Sequence, residues 1–271
     1  RDLRLFVRVA VPAINTLIPL ENKFGIAGDA AARLLVKTRQ AASELGITFH
    51  VGSQTTTPDA FTAALRAVGS LIGQAGVVVD RLDVGGGFPA RYANSEPDGY
   101  ADFIAAIDES VEELPVREDV RLMCEPGRAL VAEAESVIVR VDARRDNALY
   151  INDGAYGTLF DAAHSGLVYP VTHVYCANGG ATAGDRGRTS EFELWGPTCD
   201  SIDHMPGPFT LPDDVAEGDY LEIGNIGAYG RALAGKFNGY GTFDEAILLD
   251  RPFASMFAAA PSERSMRQAA D

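Results

Sequence analysis

Along the first 125 residues, short apolar runs alternate with stretches in which apolar residues recur every three or four positions. The runs Leu3 to Ala10, Ile47 to Val51, Val78 to Val84 and Val120 to Cys124 are mostly Val, Ile, Leu and Phe, the pattern of strands buried on both faces. Asp29 to Leu45 sets Ala31, Leu34, Leu35, Ala41, Ala42 and Leu45 on one helical face, with Gly46 predicted to end that helix. The next helix is predicted to take Thr57 as N-cap and Pro58 as its first residue, beside Asp59, with Phe61, Leu65, Val68 and Ile72 at helical spacing. A third covers Tyr100 to Leu114. Such alternation predicts a parallel α/β arrangement, and four β/α units make half of a closed eight-stranded barrel.

Beyond Glu133 the pattern changes to short β-like runs separated by turn residues: Ser136 to Val141, Ala148 to Asn152, Leu167 to Tyr175, Glu191 to Trp195, Asp219 to Ile223 and Asp244 to Leu249. The predicted fold class is therefore α/β plus all-β: a partial, TIM-like (β/α)8 barrel over residues 1–133, then a β-sandwich or β-barrel-like domain over 134–251. Residues 252–271 form an Ala-rich polar tail. The tail and the Gly-rich segment Ala177 to Thr189 are predicted to be mobile.

Composition narrows the function. Lys and Arg total 23 against 38 Asp and Glu, a formal net charge of -15 that repels nucleic-acid backbones. No run reaches the roughly 20 apolar residues of a membrane span, so a soluble protein is expected. Cys124, Cys176 and Cys199 are an odd number without CxxC spacing, which argues against a disulfide framework or a cysteine-rich zinc site and favours a reducing, cytoplasmic compartment. Cys124 and Cys176 read as small buried hydrophobes.

Polar residues gather just past the predicted strands: His50, Gly52 and Ser53 after the second, Gly85 to Gly87 after the third, and Glu125, Gly127 and Arg128 after the fourth. In a β/α barrel those carboxyl ends form the active-site face. Taken singly, each group has an ordinary structural reading: a hydrogen-bonded histidine, a turn, a surface ion pair. Together, glycine amides, Ser53 and Arg128 supply what a phosphate dianion needs, while Glu125 suits something cationic such as a protonated ring nitrogen. In WGPTCDSID, Gly-Pro places Cys199 on a loop beside Asp200; Tyr229 of GAYG is either a phosphate donor or an interface tyrosine, and NDGAYG reads as a turn.

FHVGSQ, LDVGGGFP, CEPGR, NDGAYG, GPTCD and GAYG, in this order, resemble the fold-III pyridoxal-phosphate decarboxylases of basic amino acids, in particular the ornithine branch, from about Leu3 to Leu249. The resemblance implies a homodimeric lyase using pyridoxal 5'-phosphate to turn ornithine into putrescine in polyamine biosynthesis, with no metal. Lysine or diaminopimelate decarboxylation and a non-catalytic binding relative are the alternatives. It also implies that His50 stacks on the cofactor ring, that Ser53, Gly87, Arg128 and Tyr229 hold the phosphate, that Gly85, Gly86 and Gly127 also bind the cofactor, that Glu125 pairs with the ring nitrogen, and that Arg8 lies nearby. Cys199 would return a proton to the intermediate, and Asp200, Asp161 and Phe237 would face the substrate, Cys199 and Asp200 reaching across the dimer interface. The lysine that would hold the cofactor covalently has no match in Lys23, Lys37 or Lys236. With strand residues from its first positions, the sequence is expected to be part of a longer chain.

Overall fold

The computed structural model describes residues 2–20, 22–174, 188–247 and 255–257. In chain order the elements are β1 (Arg4–Arg8), β2 (Thr16–Ile18), α1 (Gly28–Ala41), β3 (Glu44–Thr48), β4 (Ser53–Thr55), α2 (Asp59–Ala75), β5 (Arg81–Asp83), α3 (Tyr100–Glu112), β6 (Arg121–Met123) and α4 (Gly127–Val131). They continue with β7 (Val137–Arg145), β8 (Ala148–Ile151), α5 (Phe160–His164), β9 (Val171–Val174), β10 (Thr189–Trp195), β11 (His204–Pro212) and β12 (Tyr220–Ile223).

Strands β1, β3, β5 and β6 form a parallel sheet in that order, with Phe6 opposite Gly46 and Leu82 opposite both Ile47 and Leu122. Its core contains Val7, Leu45, Ile47 and Leu82 from the strands, Leu35 from α1, Phe61, Leu65 and Val68 from α2, and Phe103 and Ile107 from α3. The alternation of strands and helices is as predicted, but α1 is shorter. It stops at Ala41, and Leu45 belongs to β3, because both of its backbone groups are taken by Asp80, just before β5: the Asp80 amide donates to its carbonyl and its own amide donates to the Asp80 carboxylate. Gly46 is therefore a strand residue, not a helix stop; a Cβ there would overlap the Phe6 ring. Nor does Thr57 cap α2. Pro58 occupies that position, and the Thr57 hydroxyl accepts from Asn15 Nδ2 at 2.9 Å.

The second half is built on a six-stranded mixed sheet, in the order β11-β10-β8-β7-β12-β9, whose outermost strands approach each other so that the sheet curls. Leu149, Ile151, Phe192, Leu194, Phe209 and Leu221 point into its core, which also takes in Tyr92 and Ala132 from the preceding half. β11 escaped the sequence reading because Pro206, Gly207 and Pro208 interrupt it; at the end of the sheet order such residues are tolerated. Helix α5 interrupts what reads as an all-β half, and residues 244–247 form no strand. Cys176 and nearly all of the Gly-rich segment and the tail lie outside the described residues.

Candidate active site

Three strand-end loops meet, and glycine is what lets them. After β5 the chain turns through Gly85 (φ +68°) and Gly87 (φ +113°), a region that favours glycine. A Cβ on Gly85 would overlap the Phe49 carbonyl of the loop after β3, and one on Gly87 would stand 2.5 Å from the Gly52 carbonyl. At Gly86 it would meet the Glu125 carbonyl at 2.7 Å and His50 Nε2 at 2.9 Å. The Glu125 amide donates to the Gly85 carbonyl at 2.8 Å, and buried Asp83 fixes the turn by accepting from the Gly85 amide at 2.9 Å. His50, Gly85 to Gly87 and the Glu125 backbone thus share one small region.

Arg128, in the first turn of α4, is buried and gathers its own set of partners. Its Nη1 donates to the Tyr92 hydroxyl at 2.8 Å, its Nη2 to Asp161 Oδ2 at 2.8 Å, and both Nε and Nη2 to Ser53 Oγ at 3.2 Å. The Tyr229 ring lies 5.0 Å from the guanidinium carbon. Burial opposes the Arg128 charge, but the Tyr92 hydroxyl and the Asp161 carboxylate outweigh it and raise its pKa. A guanidinium held this firmly acts as a permanent, oriented cation. Ser53 and Tyr229 are with it. Asp161, expected to face substrate, is instead buried against Arg128 and also receives the Ser165 hydroxyl at 3.3 Å.

His50 Nδ1 accepts from the Gly52 amide at 3.1 Å, which assigns the ring proton to Nε2, the atom nearest Gly86. Burial, and then the Arg8 charge, lowers its pKa, so the ring is neutral near pH 7. Arg8 ends β1, with its guanidinium carbon 5.0 Å from the centre of the Phe24 ring. The Glu125 side chain is exposed, and Gly127 begins α4 with its amide bonded to the Glu125 carbonyl at 2.8 Å.

A second cluster forms where the loop after β10 meets the NDGAYG turn. Asp200 Oδ2 accepts from the Tyr156 hydroxyl at 2.6 Å and Oδ1 from the Ile202 amide at 3.1 Å. The Tyr156 bond, then the Ile202 amide, hold the Asp200 carboxyl below its ordinary range, so it is a carboxylate at neutral pH. Tyr156 packs on Phe237 with ring centres 4.7 Å apart, and Asn238 Nδ2 is 3.8 Å from Cys199 Sγ. Cys199 is exposed and its cleft, about 490 Å3, is lined by Asp142, Tyr150, Trp195, Asp200 and Tyr240. Among the described residues, no hydrogen bond, ion pair or ring contact joins this cluster to the Arg128 cluster. A cavity of about 820 Å3 between β7 and residues 239–246 contains none of the predicted site residues.

Several participants escaped sequence reading. Gln54, the last residue of FHVGSQ, is buried and grips Ala90 twice, accepting from its amide at 3.0 Å and donating to its carbonyl at 2.6 Å, which fixes the segment leading to Tyr92. Tyr92 lies outside every motif, and Tyr156 and Asp203 lie inside quoted motifs that gave them no role. Cys124, expected to be buried, is exposed among the described residues, just after β6 at the end of the sheet order.

A family model described as pyridoxal-dependent decarboxylase, pyridoxal binding domain, matches residues 1–132, and one described as pyridoxal-dependent decarboxylase, C-terminal sheet domain, matches residues 76–227. Ornithine decarboxylase of Schizosaccharomyces pombe is 34% identical over 256 residues, 88% of this chain and 56% of that protein. Antizyme inhibitor 2 of Xenopus laevis is 30% identical over 264 residues, 88% of this chain and 55% of that protein. The crystal structure of lysine/ornithine decarboxylase from Vibrio vulnificus, complexed with cadaverine, superposes with a TM-score of 0.70 at 29% identity, covering 88% of this chain and 62% of that one. The chain spans about half the length of these curated relatives. With matching family models over both halves and the matching fold, the chain belongs to the pyridoxal-dependent decarboxylases.

Proposed function

We propose that the full-length protein decarboxylates a basic amino acid, L-ornithine foremost, as a homodimer in the cytoplasm. The observation that carries the reading is the convergence of Gly85 to Gly87, Ser53 and the buried Arg128, with His50 against the same loop. These residues fit pyridoxal phosphate: a glycine turn, a hydroxyl and a fixed guanidinium suit its phosphate, and neutral His50 offers a flat face for its ring. Tyr229, stacked on Arg128, closes that end. When bound, the cofactor supplies an electron sink for the bond to the departing carboxylate. Glu125 is the carboxylate that holds a proton at the ring nitrogen.

The second cluster supplies substrate chemistry. Asp200, kept ionised by the Tyr156 hydroxyl, binds the distal ammonium group, and Phe237 walls the methylene chain. Cys199 Sγ delivers a proton to the carbon that has lost its carboxylate. Because the two clusters do not touch within one chain, each complete site takes its Cys199 and Asp200 from the partner copy. Asp161 acts through Arg128, orienting it for phosphate. The domain limits expected from the sequence, residues 1–133 and 134–251, assign one cluster mainly to each.

The test is turnover by the full-length, cofactor-loaded protein. Putrescine released from L-ornithine faster than cadaverine from L-lysine is the expected result. Activity confined to lysine or diaminopimelate would move the substrate, and no turnover of ornithine, lysine, arginine or diaminopimelate would sink the enzyme reading. The likeness to a protein named as an antizyme inhibitor favours, in that event, a role in binding another protein.

A further inference from the structure

We propose that Asp203 is a positioning residue that sets the Cys199–Asp200 loop against Tyr156. This rests on the reading of Cys199 and Asp200 as substrate-facing groups. Asp203 is 1% exposed, and its carboxylate collects three donors from two separate loops. The Ala155 amide donates to Oδ1 at 2.7 Å, and the Thr198 amide and hydroxyl donate to Oδ2 at 3.1 and 2.7 Å. No cation is paired with it among the described residues. Its backbone closes the same loop from the other side: the Gly196 amide donates to the Asp203 carbonyl at 2.8 Å, and the Asp203 amide to the Asp200 carbonyl at 3.1 Å.

Two motif glycines follow from this. A Cβ on Gly154 of NDGAYG or on Gly196 of WGPTCD would overlap the Asp203 carboxylate. Both loops therefore forgo a side chain so that one carboxylate can sit between them. Ala155 and Thr198, the residues it holds, immediately precede Tyr156 and Cys199, so Asp203 fixes the separation across which Tyr156 reaches Asp200. Two accepting oxygens are required. In Asp203→Asn the side-chain nitrogen must face either the Ala155 amide or the Thr198 amide, and neither can reverse its role.

The test compares Asp203→Asn, Asp203→Ala and Thr198→Val in the full-length protein, Thr198→Val removing a single donor if the others fail to fold. Two readouts are taken. The rate of iodoacetamide alkylation at Cys199, read by peptide mass as a ratio to the wild type, is expected to rise several-fold as the loop loosens. KM for the amino acid is expected to rise by up to about 100-fold with cofactor affinity and absorbance unchanged, since displacement of a positioned group by an ångström has that scale. An unchanged alkylation ratio in Asp203→Asn overturns the proposal, as does a parallel loss of cofactor affinity, which marks general damage. If the wild type turns over no basic amino acid, the functional reading fails while the alkylation ratio still decides whether Asp203 holds the loop.

Discussion

The Arg128–Asp161 pair lends itself to a quantitative prediction. Its side chains are 3% and 5% exposed and 2.8 Å apart, so water screens neither charge. Asp161→Ala leaves a guanidinium buried without its counter-charge, a change that costs about 3–5 kcal/mol. Arg128 keeps Tyr92 and Ser53 as acceptors, which places the expected loss at the lower end, about 3 kcal/mol. At about 2–4 °C per kcal/mol for a domain of 150–250 residues, the melting temperature falls by roughly 6–12 °C. Replacing both partners by apolar residues, Arg128→Met with Asp161→Leu, removes the stranded charge, so the double variant recovers most of that loss while forfeiting the phosphate site. Urea unfolding followed through the fluorescence of Trp195, the one tryptophan, measures all four corners of the cycle. A loss below about 1 kcal/mol in Asp161→Ala, or strictly additive single effects, would refute the claim that Asp161 serves Arg128.

Other tests probe different parts of the site. Because burial and Arg8 lower the His50 pKa in the fold, the unfolded chain binds the proton first as pH falls through about 6.5. Stability is full above that value and declines as pH falls toward the folded pKa; His50→Asn should flatten the decline between urea midpoints at pH 7.5 and 5.5, and an identical slope would contradict the assignment. Gly87→Ala forces a side chain onto φ +113° and within 2.5 Å of the Gly52 carbonyl, with an expected cost of about 1–3 kcal/mol and weaker cofactor binding by absorbance titration. Co-expressing Cys199→Ala with Arg128→Met should restore part of the activity each lacks alone, since mixed dimers contain one intact site; no recovery would place both clusters in the same copy's site.

What the sequence made legible is what local periodicity and motif spacing encode. Strand ends followed by glycine, serine, glutamate and arginine pointed to one pocket, and the structure sets Gly86 against His50 and the Glu125 carbonyl, and Ser53 and Tyr229 against Arg128. Boundaries slipped where tertiary pairing outranked local pattern. Leu45 continues the helical period of α1, yet it is a strand residue because Asp80 takes both of its backbone groups. Buried polar residues were the hardest to foresee. Gln54, Tyr92, Asp161 and Asp203 act through partners 33 to 48 positions away in the chain, and no periodicity records such pairings. Glycine is the one trace they leave. Gly154 and Gly196 have negative-φ backbones, so neither is needed for its conformation; each is small because the Asp203 carboxylate occupies the space a side chain would take. A motif glycine without a turn to justify it is thus a sign of a buried polar neighbour. At those two positions that neighbour is the group holding the Cys199–Asp200 loop.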